Sequence, residues 1–147
     1  MSYMVSATGL EAQRIRMDLI ANNIANAQTT RTADGGPYRR RSAVFEAVGG
    51  TRNKFSGILD SARKQDVLGG GVRVSRIIEQ AGNDAFMQVY DPSHPDADDK
   101  GIVMKPNIRI VDEMVNLIDA SRAYEANVTA MNQTKQIGAK TMEIGRI

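Results

Sequence analysis

Apolar side chains recur at helical spacing at both ends of the chain, with an unlike, glycine-rich middle between them, and this constrains the fold more than any other feature. From residue 4 to about 27, Met17, Ile20, Ile24 and Ala27 step by three and four along one face, the spacing of a helix seam. Leu10 extends the seam, with the polar Gln13 standing in between. Ser6 or Thr8 is the expected cap at its start. From residue 109 to 146 the steps return through Met114, Leu117, Ser121, Tyr124, Val128, Met131, Lys135, Gly138 and Met142, and Val111, Val115 and Ile118 widen the stripe at its beginning. At ~1.5 Å per residue the two helices would reach roughly 35 Å and 55 Å. A lone helix with such a stripe leaves it in water and needs a partner. Gln13, Ser121, Lys135 and Gly138 suit close packing among several helices better than a two-stranded apolar seam.

The expected fold class is therefore α+β. Residues 1–30 and 109–147 form long helices pairing as a coiled-coil-like hairpin, and residues 31–108 form a small β-rich middle domain. Asn22, Asn23 and Asn26 are mediocre helix formers that compete for backbone hydrogen bonds, so the first helix should fray there. Asp34-Gly35-Gly36-Pro37 is a turn. Strands are expected over residues 38–48, with Ala43, Phe45 and Ala47 facing one way and Ser42, Val44 and Glu46 the other. More follow over 72–78, with an irregularity at Ile77, over 85–90, and briefly over 101–104. Residues 55–66 read equally as a short helix or a loop.

Composition excludes several function classes. The chain of 147 residues has no cysteine, so no disulfide or thiolate site exists. A net charge of +2 is too small to argue for a nucleic-acid partner, and none is expected. The charge is uneven, however: Arg39, Arg40 and Arg41 lie in a basic stretch, and Asp96, Asp98 and Asp99 in an acidic one. Such patches steer association between subunits. No segment approaches the ~20 apolar residues that span a bilayer, and no apolar run after Met1 reads as a cleaved signal. Asp96, Asp98 and Asp99 ahead of Gly101 fail as a calcium loop, because Lys100 stands where a ligand belongs and Asn107 replaces the bidentate glutamate. His94 is the only histidine; it builds no metal site alone, and Ser93 beside it is no catalytic triad. No cofactor site is expected, and the reading is a structural subunit, not an enzyme. A coiled-coil adaptor or secretion-related binding protein, working as a discrete oligomer, is the alternative.

The run from Asn22 to Thr30, Asn-Asn-Ile-Ala-Asn-Ala-Gln-Thr-Thr, resembles the N-terminal motif of bacterial flagellar axial proteins, the rod and hook group. Its continuation to Arg40, the turn Asp91-Pro92-Ser93-His94-Pro95 and the segment from Val111 to Val128 are similar to proximal-rod members of that group. The resemblance runs from about residue 4 to 145. It implies a subunit of the periplasmic rod that transmits torque from the membrane ring to the hook, exported unfolded through the flagellar type III apparatus without a cleaved signal. It implies that the terminal helices pair into an inner tube, with copies of the chain, other rod proteins, the MS ring and the export-gate adaptor as neighbours. The residues expected at subunit contacts are Leu10, Met17, Ile20, Ile24, Met114, Leu117, Ile118, Tyr124, Val128 and Met131. Arg39, Arg40 and Arg41 are expected to meet Asp96, Asp98 and Asp99 of another subunit.

Overall fold

A computed structural model describes residues 2–33, 35–48 and 70–145. The expected segment 55–66 lies outside the described residues. The helical periodicity at each end becomes a helix: α1 spans Ser2–Ala25 and α2 spans Ile110–Ile144. At ~1.5 Å per residue they are about 36 Å and 52 Å long. Asn22, Asn26 and Thr29 finish α1 much as their hydrogen-bonding habits dictate. The side-chain amides of Asn22 and Asn26 donate to the carbonyls of Asp18 and Asn22, and Thr29 Oγ1 donates to Asn26 Oδ1. Ser6 and Thr8 do not cap α1, which begins ahead of both. Thr8 instead sits inside the helix, donating to Val5 O.

The two helices pack against each other and run antiparallel. Gly9 faces Asn127, and Asn23 bonds to Glu113. The fourteen positions from Gly9 to Asn23 match the fourteen from Glu113 to Asn127, so one register holds along the pair. In that register Ser2 lies level with residue 134, and residues 135–144 of α2 run on past the start of α1, all of them exposed.

On α1 the expected seam lies on the packed face: Ile20 and Ala27 are buried, and Leu10, Gln13, Met17 and Ile24 are half-buried. Ser6, Ala12, Ile20 and Asn23 are the buried positions of α1, and Glu113 and Ala120 those of α2. On α2 the stripe from Leu117 through Ser121, Tyr124 and Val128 to Met131 is half-buried beside that line, whereas Met114 and the flanking Val111, Val115 and Ile118 are exposed. A Cβ on Gly9 would come within 3.0 Å of Asn127 Oδ1, so the helices approach too closely there for a large side chain. Small residues form the seam around Gly9, and Ile20 is the large apolar side chain buried on it.

Two separate antiparallel ribbons make up the described β structure. In the first, β1 (Arg41–Ala47) pairs with β2 (Val72–Glu79) from Arg41↔Glu79 to Ala47↔Val72. Its register is pinned at both ends by charges directly across the ladder: Arg41 to Glu79 at 2.8 Å and Arg73 to Glu46 at 2.9 Å. The irregularity falls not at Ile77 but at Ser75, which has no partner because Val44 pairs with Arg76 and Phe45 with Val74. The expected alternation of β1 is not expressed as burial either. Ser42, Ala43 and Val44 are all half-buried, and Phe45, Glu46 and Ala47 are all exposed.

This first ribbon lies along α1. At its far end Thr8 Oγ1 accepts the Val72 amide at 3.2 Å. Gly71, at φ 109°, passes so close that a Cβ there would sit 2.2 Å from Thr8 Oγ1; only glycine fits this backbone and this gap.

In the second ribbon, β3 (Phe86–Tyr90) pairs with β4 (Ile102–Pro106), the latter two residues longer than expected at its end. Pro106 closes the strand, where its missing N–H costs nothing to the ladder. Residues 91–101 form the connecting turn. Asp91 Oδ1 accepts both the amide and the hydroxyl of Ser93, which holds its carboxyl below the usual aspartate value. His94 Nδ1 accepts the Asp96 amide, so the histidine serves the turn.

Candidate assembly interface

Asn23 is the centre of a buried polar cluster that joins three parts of the chain. It sits on the contact face of α1 and is 1% exposed. Its Nδ2 donates to Arg41 O at 2.9 Å and to Glu113 Oε2 at 3.0 Å. Its Oδ1 accepts the Arg41 amide at 2.9 Å and the Tyr38 hydroxyl at 3.0 Å. Both donors and both acceptor sites of the amide are thereby used.

Glu113, in the first turn of α2, is 2% exposed. Besides Asn23 it meets Arg40, whose Nε lies 2.9 Å and whose second guanidinium nitrogen lies 2.8 Å from Oε1. A buried carboxylate is tolerable when paired and fully hydrogen-bonded in this way. Burial pushes the Tyr38 hydroxyl above its ordinary 10.0, partly countered by the nearby Arg41 guanidinium and reinforced by Glu79 and Glu113. It therefore stays a neutral donor to Asn23. A groove of about 300 Å³ opens beside the cluster, with Leu19, Ile20, Ala43 and Phe45 on its walls.

The large apolar residues at the start of α2 lie elsewhere. Val111 is 70% exposed, Met114 52%, Val115 54% and Ile118 53%. Their spacing of three, one and three puts them on one helix stripe, facing away from the α1 contact line. A second exposed apolar group lies at the opposite end of the pair: Met4 of α1, and Ile137, Met142 and Ile144 on the overhang of α2.

The ten residues expected at subunit contacts thus fall into three classes. Ile20 is buried; Leu10, Met17, Ile24, Leu117, Tyr124, Val128 and Met131 are half-buried; Met114 and Ile118 are exposed.

Within the chain the charged residues are engaged differently from the pairing expected between subunits. Arg40 bonds Glu113, Arg41 bonds Glu79, and Arg39 stands over the Phe86 ring at 5.2 Å. Asp96 accepts from Thr30 at 2.8 Å and faces Arg31 at 3.9 Å, while Asp98 and Asp99 are exposed. Sequence reasoning missed Asn23, Tyr38 and Glu113. The signal was present in Asn23, a poor helix former placed one step from an apolar seam.

Comparison with known proteins matches both helical ends. The family described as "Flagella basal body rod protein" matches residues 4–31, and that described as "Flagellar basal body rod FlgEFG protein C-terminal" matches residues 100–144. Both helices of the pair thus carry the pattern of axial proteins of the bacterial flagellum. Full-length relatives narrow this. The chain is 45% identical to the flagellar basal-body rod protein FlgC of Bacillus subtilis, over 99% of this chain and 97% of that one. It is 44% identical to FlgC of Borreliella burgdorferi, over 97% and 95%, and 36% identical to FlgC of Salmonella typhimurium, over 97% and 94%. The chain belongs to the FlgC family of flagellar basal-body rod proteins, and its place is the rod of the basal body. Among the described residues no helix is long and apolar enough to cross a membrane.

Proposed function

We propose that this rod component is a structural subunit of the proximal rod that carries torque from the membrane ring toward the hook. Residues 1–30 and 109–147 form the assembly domain, paired in the manner of a coiled coil within an inner tube, and residues 31–108 form the outer layer. Export runs through the flagellar type III apparatus. The neighbours are copies of the chain, other rod proteins, the MS ring and the export-gate adaptor. Arg39 and the acidic turn at Asp98 and Asp99 meet opposite charges on those neighbours.

One observation carries this reading. The stripe Val111, Met114, Val115 and Ile118 points away from α1 and remains about half exposed or more. Complete burial of such a side chain contributes roughly 1.5–3 kcal/mol, so covering the exposed half of all four adds about 3–6 kcal/mol. Fixing one residue's backbone costs about 1–2 kcal/mol, so a single neighbour gives a weak contact and several give a stable one. The free chain's helices are marginal and gain their stability on assembly.

The test replaces Met114 and Ile118 by Asp, one at a time. Each change lies on the exposed stripe, so the unfolding midpoint of the purified chain stays unchanged. Incorporation into isolated basal bodies and swimming are both lost. Normal motility of either variant would overturn the assignment of this stripe to subunit contact. A discrete small oligomer of the parent chain in sedimentation would favour an adaptor instead.

A further inference from the structure

The contact line between α1 and α2 poses a problem of alignment. Gly9, Ala12 and Ala120 present almost no shape for a neighbouring helix to read. A helix that slides by one turn, about 5.4 Å, sets Ala123 or Met131 against Gly9 in place of Asn127. Ile20 is the one large apolar side chain buried along the α1 line, and strong specification of register by buried polar groups is known in helix pairs.

We propose that Asn23, Glu113 and Arg40 form a register key, which fixes α1 and α2 in one axial alignment and fastens the start of β1 to that alignment. The key deepens the assembly reading and rests on it, because only a single alignment of the two helices gives every subunit the same outward stripe.

The geometry supports both halves. Glu113 reaches Asn23 at 3.0 Å and Arg40 at 2.8 Å, and it is 2% exposed. A one-turn slip carries its carboxylate away from both partners while leaving it among helix side chains, unpaired. Asn23 cannot recruit substitutes, since its remaining two partners, the Arg41 backbone and the Tyr38 hydroxyl, are fixed in the approach to β1. The amide therefore reads three things at once: the position of α2, the path of residues 38–41 and the first residue of β1.

Disulfide trapping tests this in the full chain, which has no cysteine of its own. Gly9→Cys with Asn127→Cys reports the observed register, because a Cβ at Gly9 lies 3.2 Å from Asn127 Cγ. Gly9→Cys with Ala123→Cys or with Met131→Cys reports a slip of one turn either way. In the otherwise unchanged chain the first pair should cross-link at least ~10-fold faster than either slipped pair, as expected where slipping strands a buried charge.

Adding Asn23→Leu and Glu113→Leu removes the polar reading and keeps apolar contact, and Arg40, already partly exposed, can turn to solvent. The preference should then fall to within about threefold, as a row of small residues alone allows. In the same variant the Arg41 amide should lose its protection from hydrogen exchange, while the Val48 amide, bonded to Gly71 O at 2.8 Å, keeps its own.

An undiminished preference in the Leu variant would overturn the proposal and assign register to the small residues. Absence of every cross-link in that variant would also overturn it, since docking without register is the expected behaviour. Rod incorporation of the reduced Gly9→Cys, Asn127→Cys chain is read separately: failure there sinks the assembly reading and leaves the register result standing.

Discussion

Asn22 and Asn23 are adjacent on α1 and chemically identical, and truncating each to alanine separates what the cluster contributes from what asparagine contributes to a helix. Asn22 is exposed and makes one side-chain hydrogen bond, to Asp18 O at 2.8 Å. Alanine is the better helix former by a few tenths of a kcal/mol, so Asn22→Ala should change stability by less than about 0.5 kcal/mol. Asn23→Ala removes four hydrogen bonds. Two involve the Arg41 backbone, in an exposed residue that water can reach, and together contribute about 1 kcal/mol. The other two strand the buried Tyr38 hydroxyl and one oxygen of the buried Glu113, at about 1 kcal/mol or more each. The total is about 3 kcal/mol. With a urea slope of ~2 kcal/mol/M for a chain of this size, the midpoint moves by about 1.5 M. The assay is far-UV circular dichroism against urea in sucrose, an excluded osmolyte that gives a marginal helix pair a measurable baseline. Equal shifts for the two variants, within about 0.5 kcal/mol, would refute the reasoning, because they would show Asn23 acting only through helix propensity.

Other substitutions probe other parts. Gly71→Ala must place a Cβ at φ 109° and 2.2 Å from Thr8 Oγ1; it should cost about 2 kcal/mol or more and abolish exchange protection of the Val72 amide, and a neutral effect in either measurement would disprove the close approach. Tyr38 has a raised pKa in the folded chain, so its contribution is complete below its ordinary 10.0 and is lost as pH rises through the higher folded value. Tyr38→Phe should remove this alkaline loss and cost about 1 kcal/mol at neutral pH for the missing bond to Asn23. Absorbance titration of the phenol in the parent chain checks the direction, and a Tyr38 that ionises below 10 contradicts it.

The helices were legible because their apolar periodicity is long: the expected spans 4–27 and 109–146 compare with Ser2–Ala25 and Ile110–Ile144. The strands were legible for the same reason at period two. Which way the helices face was legible on α1, whose seam from Leu10 to Ala27 is buried or half-buried, and only in part on α2, where Met114, Val115 and Ile118 stand exposed. Hydrophobic periodicity marks the side that wants burial, without saying what buries it. Close helix contact is signalled by Gly9, Ala12 and Ala120, which are too small to register as an apolar stripe. The irregularity of β2 was expected at Ile77, yet the unpaired residue is Ser75, in the register that the two cross-strand ion pairs at the ends of the ribbon hold. The cluster at Asn23 needs residues 23, 38–41 and 113 together, and no local pattern links segments that far apart.

The exposure of Val111, Met114, Val115 and Ile118 away from the contact line carries a consequence for how such a subunit can remain soluble before assembly and stable after it. A chain that used Met114, Val115 and Ile118 to close its own helix pair would gain about 1.5–3 kcal/mol for each side chain it buried. It would then be a stable monomer with little left to offer a neighbour. Here the internal contact is made from small residues, Ile20, several half-buried side chains and one saturated polar cluster. Their net contribution is modest, because each hydrogen bond to Asn23 or Glu113 largely replaces one to water. What that contact supplies is alignment, while most of the apolar surface of α2 stays available. The division also explains why the buried group is polar. An apolar residue at position 23 or 113 would strengthen the pair in several registers alike, whereas an amide and a carboxylate that find partners in only one register penalise all others. Specification of register and reserve of apolar surface thus require each other: the more weakly the helices hold together through apolar area, the more their alignment must depend on Asn23 and Glu113.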